Sequence, residues 1–189
     1  MGFEDILFLF NSSKKDRKFI RMNLKEAGAL FDIAQKSPGD ILEIGTMIGG
    51  SAILLAAAAP DNCKVYSVDI ISCQERKAFT SLKNYVTSTL LNNIEFIIGK
   101  SVEVAQKWEK ELGLVFIDGN HTVMSIAKDI DAWRSRVMTG GFLVFHDVGV
   151  PTSSSGRKLA QQLLRKVNSK LKKWYKVNHI ESLLILQRP

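Results

Sequence analysis

Residues 41–51 read ILEIGTMIGGS: a short apolar run, Ile41–Gly45, breaks into glycines and enters a helical stretch, Gly50–Ala59, that Pro60 ends. An apolar run of this length, bounded by turn residues, predicts a buried strand followed by a helix. Outward from it the same alternation repeats. Lys64–Ile70 reads as a strand, and a helix follows it, opened by Ser72-Cys73-Gln74-Glu75 at the spacing of a capping box. Ile94–Gly99 is a strand, Val102–Lys110 a helix and Leu112–Asp118 a strand. The next helix is expected to bury Ile126, Ile130, Trp133 and Val137, after which Gly140-Gly141 turns the chain into the strand Phe142–Asp147. A basic helix comes next. Two strands, Trp174–Ile180 and Leu183–Gln187, lie close enough in sequence to form a hairpin. Alternating short apolar strands and helices predict an α/β fold, a doubly wound, mostly parallel sheet with helices on both faces. The closing pair must be antiparallel, because a parallel pair needs a long crossover.

Before this alternation, residues 1–36 read as helical. Phe3, Ile6, Leu7 and Phe10 form one stripe, Leu24, Ala27, Phe31 and Ala34 another, with a break at Asn11-Ser12-Ser13. Ser37-Pro38-Gly39 stops the pattern. The expected organisation is an N-terminal helical extension, residues 1–38, able to cap a substrate, and a ligand-binding domain, residues 39–189.

A chain of 189 residues with 46% apolar and 24% charged residues can bury a sizeable core and is not of disordered composition. Cys63 and Cys73 are too few for a disulfide scaffold and wrongly spaced for zinc, which fits a reducing, cytoplasmic setting. The longest uncharged stretch, Ile44–Pro60, has 17 residues and is broken by glycines, short of a membrane span. Glu4 and Asp5 precede the first apolar residues, the reverse of a signal peptide. The net charge of +7 belongs to one segment. Eight Lys/Arg and no acid lie between Val148 and Ile180, and removing them from the 26 basic residues leaves 18 against 19 acids. Leu159, Leu163, Leu164, Val167 and Leu171 repeat at helical spacing there, so the charges read as a solvated helix face rather than a nucleic-acid site.

Ligands of such sheets bind beyond the carboxyl ends of the strands. The first strand end, Glu43 to Ser51, carries Gly45, Thr46 and Gly49 and suits either a plain turn or a carboxylate at the helix start. Its G-x-x-x-G spacing is not the G-x-G-x-x-G of dinucleotide enzymes. Asp69, at the second strand end, can accept hydrogen bonds from vicinal ribose hydroxyls or cap a helix. Ile70 can lie on a purine, and Ser101 can meet its edge, cap a helix, or both. Asp118 and Asp147 end adjacent strands, ~4.8 Å apart in such sheets, and can converge on one cation. His121 is placed to take a proton, and His146 reads either as a third ligand or as a residue behind the ligands.

Ile117-Asp118-Gly119-Asn120-His121, Asp129-Ile130-Asp131-Ala132-Trp133, Gly140-Gly141 and His146-Asp147-Val148 together resemble the class I S-adenosylmethionine-dependent methyltransferases. More narrowly they are similar to the small O-methyltransferase-like group of catechol-type and antibiotic-tailoring enzymes. The resemblance implies a Rossmann-like methyltransferase sheet whose last strands include an antiparallel one. It implies that Glu43, Gly45, Thr46, Gly49 and Ser51 surround the methionine moiety of S-adenosyl-L-methionine, that Asp69 holds its ribose, and that Ile70 and Ser101 border its adenine. Asp118 would face both the donor's amino end and a metal such as Mg²⁺, with Asp147 and His146 completing the ligands and His121 as the base. Two residues depart from the pattern: Asn120 stands where many relatives have Asp, and Val123 where an aromatic is frequent. The reaction expected is methyl transfer to an oxygen of a small molecule, by a chain that can also form a homo-oligomer. The alternatives are transfer to nitrogen, a metal-free methyltransferase, a nicotinamide oxidoreductase, and a nucleic-acid-binding protein with a vestigial cofactor site.

Overall fold

A computed structural model describes residues 1–10, 19–148 and 157–189, with the side chains of 157–159 left aside. Seven strands form one sheet: β1 (Ile41–Ile44), β2 (Val65–Asp69), β3 (Ile94–Ile98), β4 (Leu112–Ile117), β5 (Val137–Phe145), β6 (Tyr175–Ile180) and β7 (Leu183–Gln187). Their order is β3-β2-β1-β4-β5-β7-β6, parallel except for β7, which runs antiparallel to both β5 and β6. The reversal of direction of growth between β1 and β4 puts the ligand-binding crevice at their carboxyl ends.

The side chains of β4 alternate between two cores, as the period of two in a strand requires. Leu114 and Phe116 pack under α1 (Leu24–Ala34) and α2 (Gly50–Ala58), together with Ile6 and Leu9 of a short 3₁₀ segment, Phe3–Leu9. Val115 and Ile117 pack on the other face, against α6 (Val123–Trp133) and α7 (Arg157–Lys170). Leu163, Val167 and Leu171 are buried in that second core, so the apolar stripe of the basic helix is a packing face. One of its charges, Lys170, pairs with Asp131 at 2.5 Å. The remaining helices, α3 (Lys77–Lys83), α4 (Ser88–Asn92) and α5 (Ser101–Gln106), are short.

Several local expectations are corrected. Val137 is not on the helix with Trp133; α6 ends at Trp133, and Val137 begins β5, pairing with Leu112. Gly140 and Gly141 therefore lie within β5 instead of leading into it. Gly140 has φ +77°, and the β4–β5 register slips between Leu112 and Leu114, so the pair is accommodated as an irregularity in the ladder. Ser72 makes no capping hydrogen bond, and the chain after it forms a 3₁₀ turn, Cys73–Glu75, before α3 and α4. The N-terminal stretch is not helical throughout. Among its described residues the α-helix starts at Leu24, where Asn23 accepts from the backbone N–H of Lys25 and Glu26, and Glu26 reciprocates as a capping box. The expected break at Asn11-Ser12-Ser13 falls outside the described residues, as do residues 149–156.

Candidate active site

Gly45 stands at the turn out of β1 with φ +104°, and a Cβ there would lie 2.4 Å from the carbonyl oxygen of Asp118. Only glycine permits both that conformation and the close passage of the β1 and β4 ends. Thr46 and Ser67 hydroxyls lie 2.6 Å apart, and Ser67 donates to Glu43 Oε2 at 2.5 Å. Glu43 is wholly buried, and its Oε1 has no hydrogen-bond partner. Burial pushes its carboxyl up to about 7, with Asp118 and Asp69 adding to the rise and the Ser51 and Ser67 hydroxyls only partly opposing it. Asp69, at the end of β2, accepts from the Met47 N–H at 2.9 Å and the Ile71 N–H at 3.2 Å, so it ties the glycine loop to the sheet. Ile70 beside it is 65% exposed. The α2 N-terminus, with Gly49 at its cap and Ser51 in its first turn, closes this side.

At the ends of β4 and β5 the charged residues gather. Asp118, His121 and Asp147 each offer one ligand atom, all within 4.8 Å of one another. His121 Nε2 is 3.5 Å from Asp147 Oδ2 and 4.0 Å from Asp118 Oδ1. Asp147 adopts φ +58°, a left-handed conformation an aspartate tolerates better than most residues, and departures of this kind gather at functional sites. His146 is placed differently from its neighbours. It is buried, its Nδ1–H donates to Asp118 Oδ1 at 3.0 Å, and its Nε2 lies 3.5 Å from Glu26 Oε2. Burial alone would lower its pKa, but the carboxylates of Asp118 and Glu26 raise it to about 10 and hold it as a cation. Glu26 moves the other way: burial works to raise it, yet the bonds from His146, Ser182 and Asn23 bring it to about 2.

Ser101 begins α5, Lys100 is the cap, and the Ser101 hydroxyl accepts from Trp133 Nε1 at 2.7 Å. It is thus engaged with α6 through one of its two lone pairs.

A cleft of about 960 Å³ is lined by Gly45, Thr46 and Ser51 together with Asp118, His121, His146 and Asp147. Phe19 to Asn23 and Glu26 line it as well. Glu26 and Ser182 were not singled out by sequence, whereas Phe19 to Asn23 fall within the N-terminal extension, residues 1–38, expected to cap a substrate. Asn23-x-x-Glu26 is a readable capping pattern, but nothing local says that its carboxylate would meet a histidine 120 residues later.

A polar crevice at the switch point of such a sheet, with a glycine turn and an acidic second strand end, narrows the possibilities to few families. The family model described as "Methyltransferase domain" matches residues 42–148, more than half of the chain. The chain belongs to the methyltransferase domain family. Its fold is that of the class I methyltransferases, and the nicotinamide alternative falls away. The S-adenosylhomocysteine-bound Podospora anserina methyltransferase PaMTH1 superposes with a TM-score of 0.72 at 14% identity, over 98% of this chain and 86% of that one. Cofactor-bound Rv0187 from MTB matches with a TM-score of 0.69 at 16% identity, over 89% and 81%. The O-methyltransferase from Bacillus cereus, in complex with S-adenosylhomocysteine, matches with a TM-score of 0.65 at 15% identity, over 89% and 83%. Among the described residues, no helix of this methyltransferase-family chain is long and apolar enough to cross a membrane.

Proposed function

We propose that this protein transfers the sulfonium methyl of S-adenosylmethionine to an oxygen of a small-molecule acceptor, with a divalent cation such as Mg²⁺ beside the acceptor. The carrying observation is that Asp118, His121 and Asp147 converge within 4.8 Å in the same cleft as the glycine turn. The residues fit both groups. Gly45, Thr46, Gly49 and Ser51 surround the donor's methionine end, near the buried, partnerless Glu43 Oε1. Asp69 takes the ribose hydroxyls, since a carboxylate oxygen that accepts one backbone N–H still has a lone pair. The exposed Ile70 borders the adenine. Ser101, whose hydroxyl accepts from Trp133 and keeps its own O–H to donate, borders the adenine edge.

Asp118 and Asp147 hold the cation, for which one or two carboxylates with water and substrate oxygens are a usual set. His146 sits behind the ligands, because its Nδ1 is bonded to Asp118 and its Nε2 faces Glu26. When bound, the donor supplies an electrophilic methyl and the cation lowers the pKa of the acceptor hydroxyl. His121, at the mouth of the cleft, takes the remaining proton of the acceptor. Phe19 to Asn23 line the same cleft, which supports a substrate-capping role for the N-terminal segment. The walls align donor and acceptor for in-line displacement and keep water out. Two free, buried cysteines, Cys63 and Cys73, suit a reducing, cytoplasmic setting.

Calorimetric titration with S-adenosylmethionine and S-adenosylhomocysteine, with and without Mg²⁺, tests this. Binding of both is expected, and binding of neither would overturn it.

A further inference from the structure

We infer that Glu26 is a positioning residue: acting through His146, it sets the direction of the Asp118 carboxylate in the site proposed above, on which this inference rests. The two oxygens of Glu26 are fully engaged. Oε1 accepts from the Ser182 backbone N–H at 2.9 Å and from the Ser182 hydroxyl at 2.5 Å. Oε2 accepts from the Asn23 backbone N–H at 3.2 Å and side-chain amide at 2.8 Å, and faces His146 Nε2 at 3.5 Å. On the far side of the ring, Nδ1–H donates to Asp118 Oδ1.

Helix capping does not account for this arrangement. A capping carboxylate needs one oxygen on the cap backbone and sits at the surface, whereas Glu26 is only 4% exposed and spends its second oxygen on the β6–β7 turn. The array therefore places the His146 ring between two carboxylates, across three segments remote in sequence. A ring held at one nitrogen alone could turn about its bonds. With Nδ1 bonded to Asp118 and a carboxylate 3.5 Å from Nε2, it presents Nδ1 to Asp118 in one orientation and leaves the rest of that carboxylate to the cleft. Outer partners of this kind orient the groups that bind a metal, and their loss usually weakens metal affinity about 10–100-fold. The same contacts lock the Phe19–Asn23 lining of the cleft to the reacting end of the site.

The test uses the full chain labelled with ¹⁵N and the Glu26→Gln variant, which keeps size and a hydrogen-bonding oxygen but removes the charge. In the wild type, an exchange-protected His146 Nδ1–H resonance that moves in Asp118→Asn is expected; its absence would overturn the inference. In Glu26→Gln that resonance should broaden or vanish, and Mn²⁺ affinity, read by titration of the metal alone, should fall about tenfold or more. A variant that loses thermal stability but keeps both the resonance and the Mn²⁺ affinity would assign Glu26 to helix capping and refute the positioning role. If Glu26→Gln does not fold, Ser182→Ala, which removes one bond aiming Oε1, should move both readouts less and in the same direction; no movement would count against the inference. A wild type that takes up no Mn²⁺ would overturn the proposed cation site instead, and the resonance would still decide whether Glu26 sets His146.

Discussion

Glu43→Gln should make the protein more stable above neutral pH while weakening its hold on the methyl donor. Burial raises the Glu43 carboxyl from its ordinary 4.5 to about 7, and no solvent reaches it. Below pH 4.5 the group is protonated in the folded and unfolded chain alike and the wild type carries no penalty. As pH rises past 4.5 the unfolded chain ionises while the folded one stays protonated, so stability is lost up to pH 7 and the loss then levels off. A rise from 4.5 to about 7, at about 1.4 kcal/mol for each pH unit, amounts to roughly 3 kcal/mol. Glutamine does not titrate, and its amide oxygen can still accept from Ser67. Urea titrations of both proteins from pH 4.5 to 8 should give a difference that grows by roughly 3 kcal/mol toward the variant, or a melting shift of roughly 6–12 °C for a chain of this size. A stability difference that stays constant across the range would refute the argument. The same variant should bind S-adenosylhomocysteine more weakly, because a carboxylate kept at such a penalty is characteristic of a functional site.

Asp69→Ala should weaken S-adenosylhomocysteine binding by tenfold or more in calorimetry, since hydrogen bonds to a charged acceptor contribute roughly 1.5–3 kcal/mol each; unchanged affinity would remove Asp69 from the ribose. His121→Ala should lower the rate of methyl transfer by roughly 10²–10⁴-fold while leaving donor affinity near wild type, with the deficit shrinking as pH approaches the acceptor's own pKa; a fully active variant at neutral pH would place the base elsewhere. Gly45→Ala should destabilise the fold by roughly 1–3 kcal/mol from backbone strain alone, because a Cβ there meets the Asp118 carbonyl and φ is +104°; an unchanged denaturation midpoint would contradict it. Binding of generic RNA should be confined to low salt, as expected of a solvated basic helix face, and tight binding at physiological salt would reverse that reading.

The alternation of apolar runs and turns was legible in the residues because strand and helix periodicity are local properties. So were the polar strand ends: Glu43, Asp69, Asp118 and Asp147 each follow an apolar run, and chain direction alone sends them to one edge of a parallel sheet. The boundary between Trp133 and Val137 was not legible, since residues four apart fit a helix as well as they fit a helix followed by a strand. Pairing with Leu112 decided it. Nor could the sequence say what each charge would meet. Ser101 reads as a cap, a ligand contact or both; that the Trp133 indole meets its hydroxyl follows from α6 packing beside α5. His146 reads either as a metal ligand or as a residue behind the ligands, and only the packing of α1 and the β6–β7 turn brings Glu26 to its far side. Local chemistry determined which residues are strand, helix or turn and which polar groups reach the crevice. The strand order and the packing of α1 over it decided their partners, because a charge takes its state from neighbours that only the folded chain brings within a few ångströms.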